Sequence, residues 1–238
     1  MSTWTAKRFW KAAEAAPEGG GYSVRLDGRP VKTPAKAPLI VPTHALAHEI
    51  AQEWDAQDET INPNAMPMTR SANAAIDKVA KQHAEVADMV ADYGDTDLLC
   101  YRADAPEELC DRQQAEWAPY LEWARGTLGV QLVPVSGVMY APQPEASLAR
   151  LRAMVHQMNA FELTAFHDLV GMSGSLILGF AAARGLRPID EIWASSRLDD
   201  IWQQEQWGQD AEANEDAMRK RQAFVHAKVF FDLVRAPN

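Results

Sequence analysis

The sequence predicts an α+β protein: a small N-terminal β-rich domain, residues 1–66, followed by a larger α-helical domain, residues 67–238. Three observations carry that prediction. Val24 and Leu26 alternate into Asp27-Gly28 and then Val31, and Asp-Gly between alternating apolar residues is the strongest short hairpin signal. Apolar residues recur at helical spacing from Thr69 onward. Between the two patterns, prolines at 63 and 67 interrupt the periodicity, which is where a boundary is expected.

The elements follow in order. "YSVRLDGRPVKTP" reads as a hairpin and "APLIVPT" as a further short strand. The stretch "LDGRPVKTP" also joins a glycine to Arg29 and Lys32, so an anion-gripping loop has to be weighed. A phosphate loop runs from a strand through several glycines into a helix, where amides converge on the anion. One glycine in a tight turn does not do that, so Arg29 and Lys32 are expected as solvated cations at a hairpin tip. "PTHALAHEIAQEWDAQ" reads as a helix with Thr43 as N-cap and Leu46, Ile50 and Trp54 as one apolar stripe. A helix is expected from Thr69 to about Tyr93. Further helices are expected near 106–128, 145–158, 161–183, 188–206 and 211–234, Pro188 sitting where a helix start tolerates it. "GVQLVPVSGVMYAP" is an extended connector.

The 238 residues are 47% apolar and 24% charged, an ordinary globular balance, and long enough for a substantial core. The formal net charge of −10 argues against binding nucleic acid or anionic lipid, which require clustered Lys and Arg. The longest apolar stretch, Gly171 to Ala183, lies between Asp168 and Arg184 and is too short to span a bilayer. No membrane insertion is therefore expected. The N-terminal residues lack an apolar core of signal-peptide length, and the two cysteines, Cys100 and Cys110, are too few for a disulfide framework. A cytoplasmic, reducing compartment and a monomer are the expectation.

Charge is unevenly placed. Residues 1–43 carry seven Lys or Arg against three acids, whereas residues 190–216 carry nine acids and one Arg. The acidic block also holds Trp193, Trp202 and Trp207. Two readings of it stand: a helix with an apolar and a solvated face, or a partner site in which tryptophan anchors sit within an acidic rim.

Other candidates for chemistry each have a plainer reading. His44 and His48 are four apart, a spacing that zinc pairs use, but Glu49 follows the second histidine instead of lying between them and no third ligand is evident. They read as surface histidines. A metal-dependent or hydrolytic enzyme using His44, His48 and nearby acids is the alternative function. "GMSGS" departs from a nucleophile elbow at Ser175, so Ser173 is not expected to be catalytic. Asp92, Asp95 and Asp97 cluster without the spacing of a calcium loop. Cys100 lacks a neighbouring base and reads as a small buried hydrophobe. No cofactor cradle is found, and no cofactor is expected.

Several stretches together resemble the ATP12 family, the assembly chaperones of F1-ATP synthase. These are "RFWK" (8–11), "LDGRPVKTPAKAPLIVPT" (26–43), "EIAQEWDAQDETINPNAMPMTRSANAAID" (49–77), "DTDLLCYRA" (95–103), "FELTAFHDLVGMSGSLILGFAAARG" (161–185) and "RLDDIWQQEQWGQDAEANED" (197–216). The third is the most specific, with E-W-D-x-Q followed by M-P-x-T-R. With no transit peptide evident, the resemblance is to a bacterial member.

The resemblance implies a β-rich domain joined to a helical one, and a chaperone instead of an enzyme. It implies a transient partner, the F1 α subunit, whose β-subunit interface is shielded until α3β3 forms, without ATP consumption by the chaperone. The family carries important acids before its W-G pair, in a pattern resembling R-L-E-E-E-Y-Q. Two acids are retained as Asp199 and Asp200, but the third position is Ile201. Asp199, Asp200 and Glu205, with Trp202 and Trp207, are therefore the candidate partner-binding residues. Trp54 is expected to hold its helix to its own domain, and Arg70 to anchor the interdomain joint through an Asp or Glu.

Overall fold

The computed structural model describes residues 7–208 and 211–237. The protein is α+β, with a small N-terminal sheet and a larger helical part. The chain forms two compact units. One comprises the residues up to His83, Ala160–Ala165 and the residues from Val229; the other comprises Ala84–Asn159 and Phe166–Lys228.

In the first unit four strands form one antiparallel sheet: β1 (Ala13–Glu18), β2 (Gly21–Leu26), β3 (Arg29–Pro30) and β4 (Ile40–Val41). β2 is central, pairing with β1 along its whole length and with β3 and β4 on its other side. The Asp27-Gly28 turn forms as expected, with φ of 48° and 80°. Asp27 tolerates this left-handed geometry because its carboxylate accepts from the Lys11 and Ala12 amides at 3.0 Å each. Those bonds, led by the one from Ala12, hold its carboxyl below the usual range. Arg29 and Lys32 are exposed at this end of the sheet, as solvated cations.

Helix α1 (His44–Asp55) packs on the sheet. The Thr43 hydroxyl accepts from the Leu46 amide at 3.2 Å and donates to the Leu233 carbonyl at 2.6 Å, so the predicted N-cap also ties down the C-terminal segment. Leu46 and Ile50 are fully buried, each contributing roughly 1.5–3 kcal/mol of burial. Trp54 packs edge-on against Trp10 at 5.3 Å, the domain-holding role expected of it.

The E-W-D-x-Q stretch is a clamp. Glu53 caps the next helix, α2 (Pro67–Asp77), accepting from the Met68 amide at 2.6 Å and from the Thr69 amide and hydroxyl at 2.8 and 2.7 Å. Burial pushes its carboxyl up despite these bonds. Asp55 pairs with Arg8 at 3.2 Å, and the Gln57 amide accepts from the Asn62 amide at 2.7 Å. Helix α2 starts at Pro67, two residues before the predicted start, because proline is favoured in a first helical turn. Its C-terminal Asp77 accepts from the Thr33 hydroxyl at 2.7 Å and the Ala35 amide at 3.0 Å. Arg70 is exposed on α2, and its charge helps to hold Glu53 ionised.

The single helix predicted from Thr69 to Tyr93 is instead interrupted: α3 spans His83–Ala91 after a tight 3-10 turn at Val79–Lys81. The second unit continues with β5 (Tyr101–Arg102), α4 (Glu107–Trp123), β6 (Val135–Ser136) and α5 (Glu145–His156). α4 unwinds into a wider turn over Ala124–Leu128 and stops at Gly129. The predicted connector holds β6, which pairs in parallel with β5. The rest comprises α6 (Ala160–Ser173), α7 (Leu176–Ala183), α8 (Ile189–Ser196), α9 (Leu198–Trp207) and α10 (Ala211–Val234).

Two predicted long helices, 161–183 and 188–206, are each broken once. The first breaks where Gly174 turns left-handed, at φ 69°, and the Ser175 hydroxyl caps α7 by accepting from the Leu178 amide at 3.0 Å. The second breaks at Arg197, between α8 and α9. Gly179 lets α7 approach α6 closely, since an added Cβ there would lie 2.5 Å from a Val170 methyl. Among the described residues no helix is long and apolar enough to cross a membrane.

Candidate functional site

The acidic helix α9 is anchored by Leu198, 4% exposed, and lies against α4. Each of its candidate acids has a partner. Asp199 accepts from the Gln113 amide at 2.7 Å, and Asp200 pairs with Arg197 one turn back at 3.0 Å. Glu205 forms a two-pronged ion pair with Arg112 at 2.5 and 3.1 Å. The hydrogen bond from Arg112 holds the Glu205 carboxyl below its usual range and pushes the guanidinium up.

The three tryptophans separate by environment. Trp193 is buried against Phe224, with ring centroids 5.4 Å apart. Trp202 is half-buried, with the Arg112 guanidinium 6.0 Å from its ring centroid. Trp207 is 79% exposed at the end of α9. Gln209 and Asp210, later in the acidic block, lie outside the described residues, as do residues 1–6.

Between α4, α8 and α9 runs a groove of about 410 Å³, lined by Arg112, Glu116, Arg187, Glu191, Leu198 and Ile201 among others. Ile201, which stands where the family pattern has an acid, gives this groove apolar lining. Glu116 accepts from Arg187 at 3.0 Å and from the Ser195 hydroxyl at 2.6 Å, and Ser195 in turn lies 2.9 Å from the Tyr120 hydroxyl. The Trp117 indole donates to the Ser195 carbonyl at 2.8 Å. The last turn of α8 is thus fastened to α4 by a chain of polar contacts.

Sequence reasoning missed this α4 framework. Its signal was Gln113, a polar residue in register with Trp117 and Tyr120 at i, i+4 and i+7; all three are buried. Gln113 accepts from the Ala103 amide at 2.8 Å while donating to Asp199, so one side chain positions both a loop and the acidic helix.

The other candidates are structural. Asp97 is fully buried and accepts from the Ser175 hydroxyl at 2.7 Å and the Leu99 and Ile177 amides at 3.0 Å each. Burial pushes its carboxyl up to about 6, and the hydrogen bonds oppose a further rise. Asp95 accepts from the Tyr140 hydroxyl at 2.7 Å and the Gln143 amide at 3.0 Å, and Asp92 pairs with Arg152. The three acids therefore serve three different anchors instead of one cation. Ser173 is buried and donates to the Leu169 carbonyl at 2.7 Å. Cys100 is buried, which pushes its thiol up, and packs as the small hydrophobe expected.

His44 and His48 are exposed on α1 with nearly parallel rings, centroids 6.2 Å apart, and His48 lies 2.9 Å from the Gln52 amide. They flank a groove of about 530 Å³ beside β1. Among the described residues no three His, Cys, Asp or Glu side chains converge as a metal ion needs.

The whole chain resembles known proteins. Residues 7–125 match the family described as ATP12 chaperone protein. The crystal structure of Atp12 from Paracoccus denitrificans is 49% identical, with a TM-score of 0.95 over 97% of this chain and 99% of that one. A structure of an Asp-to-Lys mutant of P. denitrificans Atp12p is 48% identical, with a TM-score of 0.95 over 97% of this chain and 98% of that one. Protein atp12, mitochondrial, of Schizosaccharomyces pombe is 29% identical over 221 residues, 88% of this chain and 76% of that protein. With half of its length matched by the family model and nearly all of it by bacterial Atp12 structures, the chain belongs to the ATP12 family of ATP synthase assembly chaperones.

Proposed function

We propose that the protein is an ATP-independent holding chaperone for the F1 α subunit, and that it shields the surface of α later covered by the β subunit. The observation that carries the placement of the client surface is Trp207. It holds a large apolar ring in water, 79% exposed, at the end of the helix that carries Asp199, Asp200 and Glu205. Exposed tryptophan beside charged residues is what an unoccupied partner surface presents. The acids already bonded to Gln113, Arg197 and Arg112 form a fixed rim, and Trp207 with half-buried Trp202 supplies apolar contact. Release requires only that the α–β contact be stronger than the α–chaperone contact.

Co-expression tests this reading. The α subunit is expressed with the wild-type chain and with Asp199→Lys, Asp200→Lys, Glu205→Lys and Trp207→Ala, each checked for folding by circular dichroism. Soluble α in complex with the wild type, and its loss with Trp207→Ala or a charge reversal, is the expected result. Insoluble α in every case overturns the client assignment. Capture undiminished in all four variants overturns the assigned surface.

A further inference from the structure

Arg112 and Gln113, adjacent on α4, hold α9 near its two ends: Arg112 takes Glu205, and Gln113 takes Asp199. The three acids of α9 therefore differ in charge as well as in position. Glu205 is matched by the Arg112 guanidinium, and Asp200 by that of Arg197. The donor to Asp199 is a neutral amide, and Asp199 forms no ion pair among the described residues. Arg102 feels its charge without pairing with it. The Arg102 Nε and Nη1 donate instead to the carbonyls of Leu99 and Gln113, at 2.8 and 2.6 Å.

Gln113 is 2% exposed, in the same stripe of α4 as Trp117 and Tyr120. A polar side chain in such a place costs stability unless its groups are bonded. Here both ends are: the oxygen accepts from the Ala103 amide at 2.8 Å, and the nitrogen donates to Asp199 at 2.7 Å. Those two bonds specify the residue. Leucine or methionine satisfies neither partner. Glutamate accepts from Ala103 but sets a second negative charge against Asp199. Lysine or arginine binds Asp199 and cancels its charge. Glutamine accepts at one end, donates at the other and is uncharged, so it fixes the carboxylate and leaves it anionic.

We propose that Gln113 is a positioning residue for partner recognition. It holds Asp199 at a fixed place on α9 with its negative charge uncancelled, so that of the three acids this one is offered to a Lys or Arg of the partner. The second Asp199 oxygen accepts no hydrogen bond among the described residues and is the one left for that cation. An acid ordered beforehand binds without the entropy cost of ordering it on contact. The role of Asp200 and Glu205 is then to set the local field, each beside its own arginine. That the partner is the F1 α subunit rests on the function proposed above.

A double-mutant cycle tests this. Tagged α is co-expressed with the wild-type full chain and one variant together, and the ratio of the two chains bound to α reads relative affinity. The variants are Gln113→Met, Asp199→Asn and the two combined, each also measured by urea unfolding. Asp199→Asn keeps an oxygen that accepts from Gln113, so its urea midpoint is expected to stay close to the wild type's. It therefore tests the charge whether or not Gln113→Met folds. Each single variant is expected to bind α roughly tenfold more weakly. The combined variant is expected to be no weaker than Asp199→Asn alone, because Gln113 acts through Asp199. Added salt is expected to weaken the wild type more than Asp199→Asn. A purely structural Gln113 gives losses that multiply in the combined variant, and that result overturns the proposal. Binding as tight as the wild type's by Gln113→Met, or by Asp199→Asn, overturns it too. Those failures leave α bound by the wild type, whereas α left insoluble with the wild type overturns the client reading and this proposal with it.

Discussion

Replacing Asp97 removes the acceptor that holds two parts of the helical unit together. Its carboxylate serves the Leu99 amide two residues on, and the Ser175 hydroxyl and Ile177 amide at the start of α7. In Asp97→Ala three buried donors lose their partner. At about 1–2 kcal/mol for each unmade bond, the loss at pH 7 is roughly 3–6 kcal/mol.

Burial pushes the carboxyl up to about 6 in the fold, against an ordinary value of 3.8. Between those values the unfolded chain has lost this proton and the folded chain has kept it. The folded state then binds more protons, so stability falls as pH rises across the window, by about 3 kcal/mol in all. Asp97→Asn carries no titrating group and resembles the protonated acid. The stability difference, wild type minus Asp97→Asn, is therefore expected to shrink by roughly 2.4 kcal/mol from pH 4 to pH 7. Urea unfolding at pH 4, 5, 6 and 7 measures it, with linear extrapolation to water. A cost below about 1 kcal/mol for Asp97→Ala, or a difference that does not change with pH, refutes the reasoning.

Three further outcomes follow from the same structure. Glu53→Ala leaves the Met68 and Thr69 amides without their cap, and thermal unfolding is expected to show a loss of about 2 kcal/mol; an unchanged midpoint rejects the cap. Gly179→Ala forces a Cβ to within 2.5 Å of a Val170 methyl, so denaturant unfolding should show about 1–3 kcal/mol of destabilisation. A neutral result there means that α6 and α7 can separate. Trp207→Ala, at an exposed position, is expected to change stability by less than about 0.5 kcal/mol while reducing α capture. A large stability loss would make Trp207 a packing residue.

The features legible in the sequence by itself are those that few neighbouring residues determine. The Asp27-Gly28 turn depends on two residues that tolerate positive φ, and the Thr43 cap on an amide three positions away. The Leu46 and Ile50 stripe repeats every helical turn and was buried as its period required. The resemblance that named the family drew on the same short stretches, and it located the acidic helix.

Tertiary structure alone decided the rest, because the deciding partner is distant in the chain. The helix over 161–183 looks continuous to any local pattern. Its break at Gly174–Ser175 is stabilised by Asp97, 80 positions before Ile177. Glu205 reads as a free surface acid until Arg112, 93 residues earlier, pairs with it. The place of β1 at the end of the sheet depends on which strands lie beside it, and no composition of Ala13–Glu18 specifies that. Local sequence sets backbone preference within a turn or two; partners in space set which acids are anchored, which tryptophan meets water and which strand lies at the end of the sheet.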